Sequence, residues 1–252
     1  MILYQEYPPC PALAPYLACL WTCQVSPGAE AVSHRVLPDN CIDILWQDSD
    51  PYGGVAGMMS TVMHVPVAAP VRTIAARFKP GAAAWFFDLP LHHLIDQHPP
   101  LRHLWEPGQA ERFADALWTR PLSDTEAVTV TERLLLQRLQ RLQLSEHRPG
   151  LVAHAVAAIE VSHGAVRVDA LAEALGVSRQ YLGTQFKAQV GLGAKQFARV
   201  CRFQHASARI GATAPVELDL AAMAIDLGYH DQPHMNHEFR ALSGATPQSF
   251  SR

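Results

Sequence analysis

The sequence has few cysteines and no strong metal-binding spacing among them. Its 252 residues include five cysteines, an odd number, which argues against a disulfide framework. No apolar stretch approaches the ~20 residues that a membrane-spanning helix requires. The first ten residues lack the basic and apolar regions of a secretory signal. We therefore expect a globular, cytoplasmic protein in a reducing environment.

Motifs that mark common enzyme classes are also missing. The sequence has no G-x-S-x-G nucleophile elbow, P-loop, H-E-x-x-H or dinucleotide fingerprint. Gly53-Gly54 alone is only a turn signal. His34, Asp43 and His64 are too scattered to indicate a metal centre. We expect no catalytic residues, no cofactor and no resident metal.

The chain has no overall basic excess, since its formal net charge is -3. Residues 151–252 hold nine basic and eight acidic side chains, so the negative charge comes from the first 150 residues. Within the second part, Ala174 to Val216 contains no acid but six Lys and Arg side chains. The average charge therefore conceals a segment suited to nucleic acid.

Residues up to about Asp88 show the pattern of short β-strands. Turn signals separate runs of β-branched and aromatic residues at Ala18–Val25, Cys41–Trp46, Gly57–Val67 and Val71–Phe78. This spacing predicts a small barrel or sandwich. From Ala82 to Leu117 the pattern becomes helical, with breaks at proline residues.

A longer helix is predicted from Ser123 to about Leu144. Ser123 and Glu126 have the spacing of a capping box. Leu135, Leu139 and Leu142 share a helical face, which suits packing either on its own domain or against a second copy of the chain. The polar segment Ser145–Gly150 ends in Pro-Gly and predicts a linker.

An internal repeat runs through the helical C-terminal part. Ala172, Leu175 and Gly176 recur at an offset of 52 as Ala224, Leu227 and Gly228. Beyond the turn the offset becomes 53, and Leu182, Phe186, Gly191 and Phe197 recur as Met235, Phe239, Gly244 and Phe250. A small residue, a glycine and buried apolar residues at these positions are typical of a helix-turn-helix.

Each copy contains one candidate recognition helix with a buried pair and a polar surface. The polar side chains assigned to DNA contact are Arg179, Gln180, Thr184 and Lys187 in the first copy and Gln232, Asn236, His237 and Arg240 in the second. Cationic groups suit phosphates, whereas amide and hydroxyl groups suit base edges. One predicted helix, Ala194 to Ile210, joins the copies, so the two recognition helices can enter major-groove segments about 34 Å apart.

These residues resemble a known family. The stretch from Ala170-Leu171-Ala172 to Gly176-Val177-Ser178, followed by Gly228-Tyr229-His230-Asp231-Gln232-Pro233 and Gly244-Ala245-Thr246-Pro247, is similar to the double helix-turn-helix domain of AraC/XylS-type transcriptional regulators. The resemblance covers about 100 residues, Leu151 to Arg252. It implies double-stranded promoter or operator DNA as a partner.

The N-terminal part resembles a sensor-type domain often found ahead of this DNA-binding unit. The similar residues are Leu13-Ala14-Pro15-Tyr16 with Trp21, Val36 to Asp43, and Arg77-Phe78-Lys79-Pro80-Gly81. The resemblance implies a cupin-like β-barrel with a helical subdomain, used for effector sensing, dimerisation or both. The expected fold is α+β, with a sensor domain at 1–144, a linker at 145–150 and an all-α DNA-binding domain at 151–252.

The residues of the N-terminal part are consistent with two mechanisms of regulation. A small apolar or aromatic effector would contact Trp21, Trp46, Phe78 and Trp85. Alternatively, the N-terminal cysteines would respond to metal or to oxidation, with Cys19 and Cys23 on one face of a predicted strand. We thus expect a sequence-specific transcriptional regulator whose candidate partners are DNA, a small-molecule effector, RNA polymerase and a second copy of the chain.

Overall fold

The N-terminal part of the protein is built on an antiparallel sheet. The computed structural model describes residues 2–26, 32–67, 70–142, 150–212 and 219–250. Its strands are β1 (Ile2–Tyr7), β2 (Leu17–Val25), β3 (Val32–Val36), β4 (Ile42–Gln47), β5 (Asp50–Ala56), β6 (Met63–Val67) and β7 (Val71–Phe78). A five-stranded sheet has the order β1-β2-β7-β4-β5, and β3 pairs with β6 in a separate ribbon.

Register places the apolar side chains of neighbouring strands on one buried face. Ile44 pairs with Ala76 and Trp46 with Ile74 across β4 and β7, and all four side chains are fully buried. Because side chains alternate between the faces of a strand, this register directs each second residue into the core. The opposite face of β4 carries Asp43 and Gln47, which are half-buried.

The α+β class with a β-rich N-terminal part and a helical C-terminal part is confirmed. The expected cupin-like barrel is not closed: across the described ranges, β1 and β5 are the two edges of an open sheet. The run Gly57–Val67 is also not one strand, because only Met63–Val67 is extended. Gly53-Gly54, interpreted as a turn signal, lies within β5, where Gly54 pairs with Leu45. The absence of a side chain at Gly53 leaves room for the ring of Trp46.

The helices follow the sheet along the chain. Short 3-10 helices at Ala82–Trp85, Leu91–Leu94 and Leu101–His103 precede α1 (Gln109–Trp118), α2 (Asp124–Leu142), α3 (Gly150–Val161), α4 (Val168–Ala174), α5 (Arg179–Val190), α6 (Ala194–Ala212), α7 (Leu220–Asp226), α8 (Gln232–Ser243) and α9 (Pro247–Phe250). No helix in the described ranges is both long enough and apolar enough to cross a bilayer.

The long helix α2 begins with the predicted capping box. The Ser123 hydroxyl accepts a hydrogen bond from the Glu126 backbone N–H at 3.3 Å, and the Glu126 carboxylate accepts one from the Ser123 backbone N–H at 2.8 Å. Leu135 and Leu139 are buried against the chain's own core, which is the first of the two packing alternatives. The rest of this prediction, toward Leu144, and most of the predicted linker at 145–150 lie outside the described residues.

Among the described residues, buried side chains form two hydrophobic clusters. The first cluster, called the shared core below, runs from Leu13 through the sheet and α1–α3 to the first helix-turn-helix unit, ending at Ala198. The second cluster, called the second core, extends from Val200 to Leu242 and belongs to the second unit. The first unit therefore packs as one body with the N-terminal part, whereas the second unit has apolar packing of its own.

Candidate nucleic-acid interface

The first helix-turn-helix unit consists of α4 and α5 joined by a glycine turn. Gly176 has φ +69°, a left-handed conformation that ends α4 at low steric cost. The Val177 N–H then donates to the Ala172 carbonyl at 3.1 Å. Ser178 caps α5, because its hydroxyl accepts from the Tyr181 N–H at 3.1 Å. The turn and cap thereby fix where the first recognition helix starts.

The second unit repeats this geometry at the predicted offset. Gly228 has φ +77°, and the Tyr229 N–H donates to the Ala224 carbonyl at 2.9 Å, as Val177 does to Ala172. Asp231 caps α8 by accepting from the His234 N–H at 2.7 Å. Because both the turn and the cap recur, the sequence repeat is a structural repeat.

Each recognition helix buries the predicted apolar pair. Leu182 and Phe186 of α5 are fully buried, as are Met235 and Phe239 of α8. The exposed members of the predicted DNA-contact set are Arg179, Gln180, Thr184, Lys187, His237 and Arg240, while Gln232 and Asn236 are half-buried. The apolar pairs thus orient both polar faces away from the protein.

One ion pair and one exposed aromatic residue modify the DNA-facing surface predicted from sequence. Arg179 lies 3.1 Å from Asp169 of α4 in an exposed ion pair, so part of its charge is already compensated. Tyr181, which the sequence interpretation omitted, is exposed on α5 beside Gln180. The sequence could have indicated this exposure, because Tyr181 lies in the first turn after the Ser178 cap and is not part of the i,i+4 pair of buried residues, Leu182 and Phe186.

Some basic residues of the acid-free segment serve the protein's own packing. Arg199 of α6 donates to the buried Glu238 of α8 at 2.5 Å. Arg202 donates to the Gly164 carbonyl at 2.7 Å and lies over the ring of Tyr229. These contacts tie α6 to α3 and to the second unit. A charge count along the sequence could not separate them from DNA-facing cations.

Comparisons with known proteins identify the family to which these units belong. Residues 171–252, which contain both turns, match the family described as Helix-turn-helix domain. These residues form a helix-turn-helix domain of the type found in AraC/XylS-type regulators. Residues 5–100 match Domain of unknown function (DUF6597). No curated protein matches the regulator in sequence.

Several solved structures are similar to the regulator. The C-terminal domain of AraT, a response regulator from Geobacillus stearothermophilus, is 25% identical over 41% of this chain and 84% of that chain, with a TM-score of 0.38. ToxT from Vibrio cholerae is 7% identical, with coverages of 99% and 97% and a TM-score of 0.47. Unsaturated fatty acid-bound ToxT is 8% identical, with coverages of 100% and 94% and a TM-score of 0.41. Because all three TM-scores are below 0.5, the assignment of the C-terminal domain depends on the matched residues 171–252.

Both units of the regulator contact its N-terminal part. At the C-terminal end of α5, a Cβ added to Gly191 would lie 2.0 Å from the Met58 methyl carbon and 3.1 Å from the Leu91 carbonyl oxygen. At the end of α8, Arg35 of β3 donates to the Ser243 carbonyl at 2.7 Å. The N-terminal part therefore touches the ends of both recognition helices.

The four aromatic residues predicted to bind an effector occupy different environments. Trp46 and Phe78 are fully buried, with Trp46 stacked on Phe113 at a ring-centroid distance of 4.9 Å and Phe78 packed on Phe86 at 4.8 Å. Trp85 is half-buried beside Tyr16, while Trp21 is half-buried beside Tyr4 of the edge strand. The structure places Trp46 and Phe78 in the shared core and Trp21 on β2, next to the edge strand β1.

The thiols of Cys19 and Cys23 lie in environments that favour their protonated form. Burial raises the pKa of Cys19 to about 11, with Glu6 adding to the effect, and burial also raises the pKa of Cys23. Since the thiolate is the reactive form, these environments lower thiol reactivity near neutral pH. They give no support to the redox alternative. Within the described ranges, no group of three or more His, Cys, Asp or Glu side chains is arranged to hold a metal ion.

Proposed function

We propose that this AraC/XylS-type regulator binds double-stranded DNA sequence-specifically through α5 and α8, under the control of a small molecule bound by residues 1–144. One observation carries the DNA part: both recognition helices expose polar surfaces free of acidic side chains. The single acid within them, Glu238, is buried and paired with Arg199. Repulsion between these helices and DNA phosphates is thereby avoided.

The proposal divides the DNA contacts by chemistry. Lys187 and Arg179 attract phosphates, whereas Gln180 and Thr184 contact base edges in the first unit. Gln232, Asn236, His237 and Arg240 form the corresponding surface of the second unit. Because the whole chain has a net charge of -3, non-specific attraction to DNA is modest. Useful affinity then requires both recognition helices to bind together.

The experiment that tests DNA recognition is selection of bound duplexes from a random pool by the full chain. We expect one enriched sequence with two half-sites about one helical turn apart. Affinity for that sequence is then measured against salt concentration for the wild type and Lys187→Gln. Loss of one phosphate contact should reduce the salt slope by about one unit.

The matched control is Arg133→Gln, which removes an exposed charge from α2, outside both units. This control should keep the wild-type slope. A pool without enrichment would refute sequence-specific binding. An unchanged slope for Lys187→Gln, or an equal decrease for Arg133→Gln, would remove Lys187 from the phosphate contacts.

The part of the proposal that concerns regulation assigns residues 1–144 to sensing, 145–150 to a linker and 151–252 to DNA binding. Its support is the contact of the N-terminal part with the ends of α5 and α8. Of the four aromatic residues expected to contact an effector, we propose Trp21 and Trp85 for direct contact because they are partly accessible, whereas Trp46 and Phe78 are fully buried. The proposal gives the chain no catalytic role.

Further partners are proposed on the same functional grounds. We propose RNA polymerase as a partner at a promoter, and a second copy of the chain would add two more recognition helices at an operator. The same DNA partner places the regulator in the cytoplasm. Sedimentation of the chain with and without its selected duplex tests dimerisation; one chain per duplex at saturation would exclude a dimer on DNA.

A further inference from the structure

The chain that leaves β3 runs along the DNA-binding half of the molecule. Residues 35–40, called the strap below, comprise the end of β3 and the connection toward β4. The strap lies within the stretch that matches a domain of unknown function. Neither the proposed DNA contacts nor the proposed effector contacts include it. Its role is indicated by the residues that it contacts.

One end of the strap is fixed to α6 by Asn40. The Asn40 side-chain amide donates to the Phe197 carbonyl at 3.1 Å and to the Cys201 sulfur at 3.3 Å. Asn40 is 4% exposed and has φ +63°, a left-handed conformation that a non-glycine residue adopts at a cost. The protein therefore accepts backbone strain at the residue whose buried amide reaches α6.

The Asn40 contact lies where the shared core meets the second core. Phe197 belongs to the shared core, whereas Val200 and Phe203 belong to the second core. Both cores are thus built on α6. Because long helices bend, a change in the curvature of α6 at this point would reorient the second unit relative to the first.

From Asn40 the strap follows α6 into the second unit. The Pro38 carbonyl accepts a hydrogen bond from the Gln204 side-chain amide, and Leu37 packs against the second core. Two residues of extended chain advance by about 6–7 Å, which is close to the rise of four helical residues. The strap and α6 therefore run side by side in opposite directions.

The other end of the strap holds the C-terminal ends of α8 and α9. Arg35 donates to the Ser243 carbonyl at 2.7 Å, and its guanidinium lies 5.0 Å from the centre of the Phe250 ring. The last carbonyls of a helix lack partners within the helix, so a cation is favoured there. Val62, just before β6, also lies near this end, since a Cβ added to Gly244 would be 3.7 Å from its methyl carbon.

The contacts of the strap leave the proposed DNA surface uncovered. Among the described partners of the strap in the helical half, none is a side chain assigned to DNA contact. The strap joins α8 to the sheet, and the shared core joins the sheet to the first unit. It therefore restricts where α8 lies relative to α5.

We propose that the strap sets the position of α8 relative to α5 before DNA is bound, with Arg35 and Asn40 as positioning residues. A second unit that is already in place avoids the entropic cost of being ordered on the duplex. Two recognition helices in a fixed arrangement also require one spacing between their half-sites. This inference rests on the proposed binding of DNA through α5 and α8.

The variant that releases the strap combines Arg35→Ala with Asn40→Gly. Glycine adopts the left-handed conformation of Asn40 readily, so the second change removes the amide without adding strain. Arg35→Lys alone is the conservative counterpart, because it keeps a cationic donor. His34→Gln is the matched control, since His34 is exposed and lies on the opposite face of β3. Thermal unfolding checks that each variant is folded, and Arg35→Ala alone replaces a double variant that is not.

The first readout is the dependence of DNA affinity on half-site spacing. Affinity is measured for the selected duplex, for the same duplex with one base pair inserted between the half-sites, and for a duplex with the first half-site alone. The insertion should cost the wild type about tenfold or more in affinity and the double variant about threefold or less.

The double variant should also bind the selected duplex about three- to tenfold more weakly than the wild type. It should keep the wild-type affinity for the single half-site, because the first unit is unchanged. A general loss of folding would lower both affinities. Arg35→Lys and His34→Gln should keep the wild-type preference for spacing.

The second readout needs no DNA. Spin labels carried by non-natural residues at Lys187 and Arg240 report the distance between the two recognition helices. The wild type and His34→Gln should each give one narrow distance distribution, and the double variant a broader one. A broad distribution in the wild type, or an unchanged width in the double variant, would overturn the role of the strap.

Equal spacing preference in the wild type and the double variant would also overturn the inference. Tighter DNA binding by the double variant would do so as well, because the strap would then inhibit binding. If no duplex is selected but the distance distribution broadens as expected, the DNA function fails and the positioning of α8 by the strap stands. If a duplex is selected while both the distribution and the spacing preference stay unchanged, the DNA function stands and the strap inference fails.

Discussion

Phe186 and Phe239 are equivalent in the sequence repeat, yet we predict different consequences when each is replaced by alanine. Phe186 belongs to the shared core and lies edge-on to Phe197 at 5.4 Å. Phe239 belongs to the second core, between Phe203 at 5.0 Å and Phe250 at 5.4 Å. The first substitution should therefore disturb the N-terminal part as well, whereas the second should remain local.

The expected loss of stability follows from complete burial, because the side chains of Phe186 and Phe239 are both 0% exposed. Truncation of a buried phenylalanine to alanine typically costs about 3–5 kcal/mol, through lost transfer energy and the cavity left behind. Since whole domains are stable by only about 5–15 kcal/mol, such a loss can unfold a small unit. The buried members of the second core lie within residues 200–242, and Leu37 and Phe250 pack against them. Phe239→Ala should therefore unfold α7, α8 and α9 while the sheet and the first unit stay folded.

Hydrogen exchange combined with denaturant unfolding distinguishes these outcomes. Phe239→Ala should accelerate exchange in α7, α8 and α9 and in the part of α6 that carries Phe203, but not in the sheet or α5. Phe186→Ala should accelerate it in α5 and also in the 3-10 helices at Ala82–Trp85 and Leu91–Leu94. Phe250→Ala, at a half-buried position of the same aromatic cluster, serves as the milder control. Identical exchange patterns for the two main variants, or a stability loss below about 1 kcal/mol for either, would refute the division into two cores.

Three further predictions concern single contacts. Ser178→Ala removes the cap of α5 and should cost about 1 kcal/mol in denaturant unfolding and weaken DNA binding; unchanged stability would contradict the cap. Glu238→Gln should cost roughly 1–2 kcal/mol, a value reduced because Arg199 is partly exposed, and a neutral result would show that this pair does not hold α6 to α8. Because the pKa of Cys19 is raised to about 11, its iodoacetamide alkylation, followed by peptide mass spectrometry, should keep accelerating above pH 9, and a plateau near pH 9 would contradict its burial.

Local signals in the sequence were sufficient to predict the helices and turns of the C-terminal half of the molecule. A helix-turn-helix depends on contacts between residues close in the chain, such as the hydrogen bond from Val177 to Ala172 and the cap at Ser178. Each contact has a recognisable residue pattern, and the 52-residue repeat presented the pattern twice. The boundaries of α6 and the capping box of α2 were predictable for the same reason.

The N-terminal sheet was less predictable because its pairing joins distant segments. Central strand β7 pairs with β2 and β4, neither of which adjoins it in sequence. Edge strand β1 exposes Ile2, Leu3 and Tyr4, so it lacks the alternating pattern of a half-buried strand. Strand β5 contains turn-type residues that are accepted because Gly53 leaves space for Trp46.

The sequence by itself determined the two DNA-binding units and the polar residues on their recognition helices, because caps, turns and helical periodicity are local properties. Tertiary structure decided which cations are available to DNA, since Arg199 and Arg202 have protein partners. It also decided that Trp46 and Phe78 are core residues, that the sheet is open, and that the strap lies along α6. These features depend on burial and on the approach of distant segments, for which a residue's neighbours in sequence carry no signal.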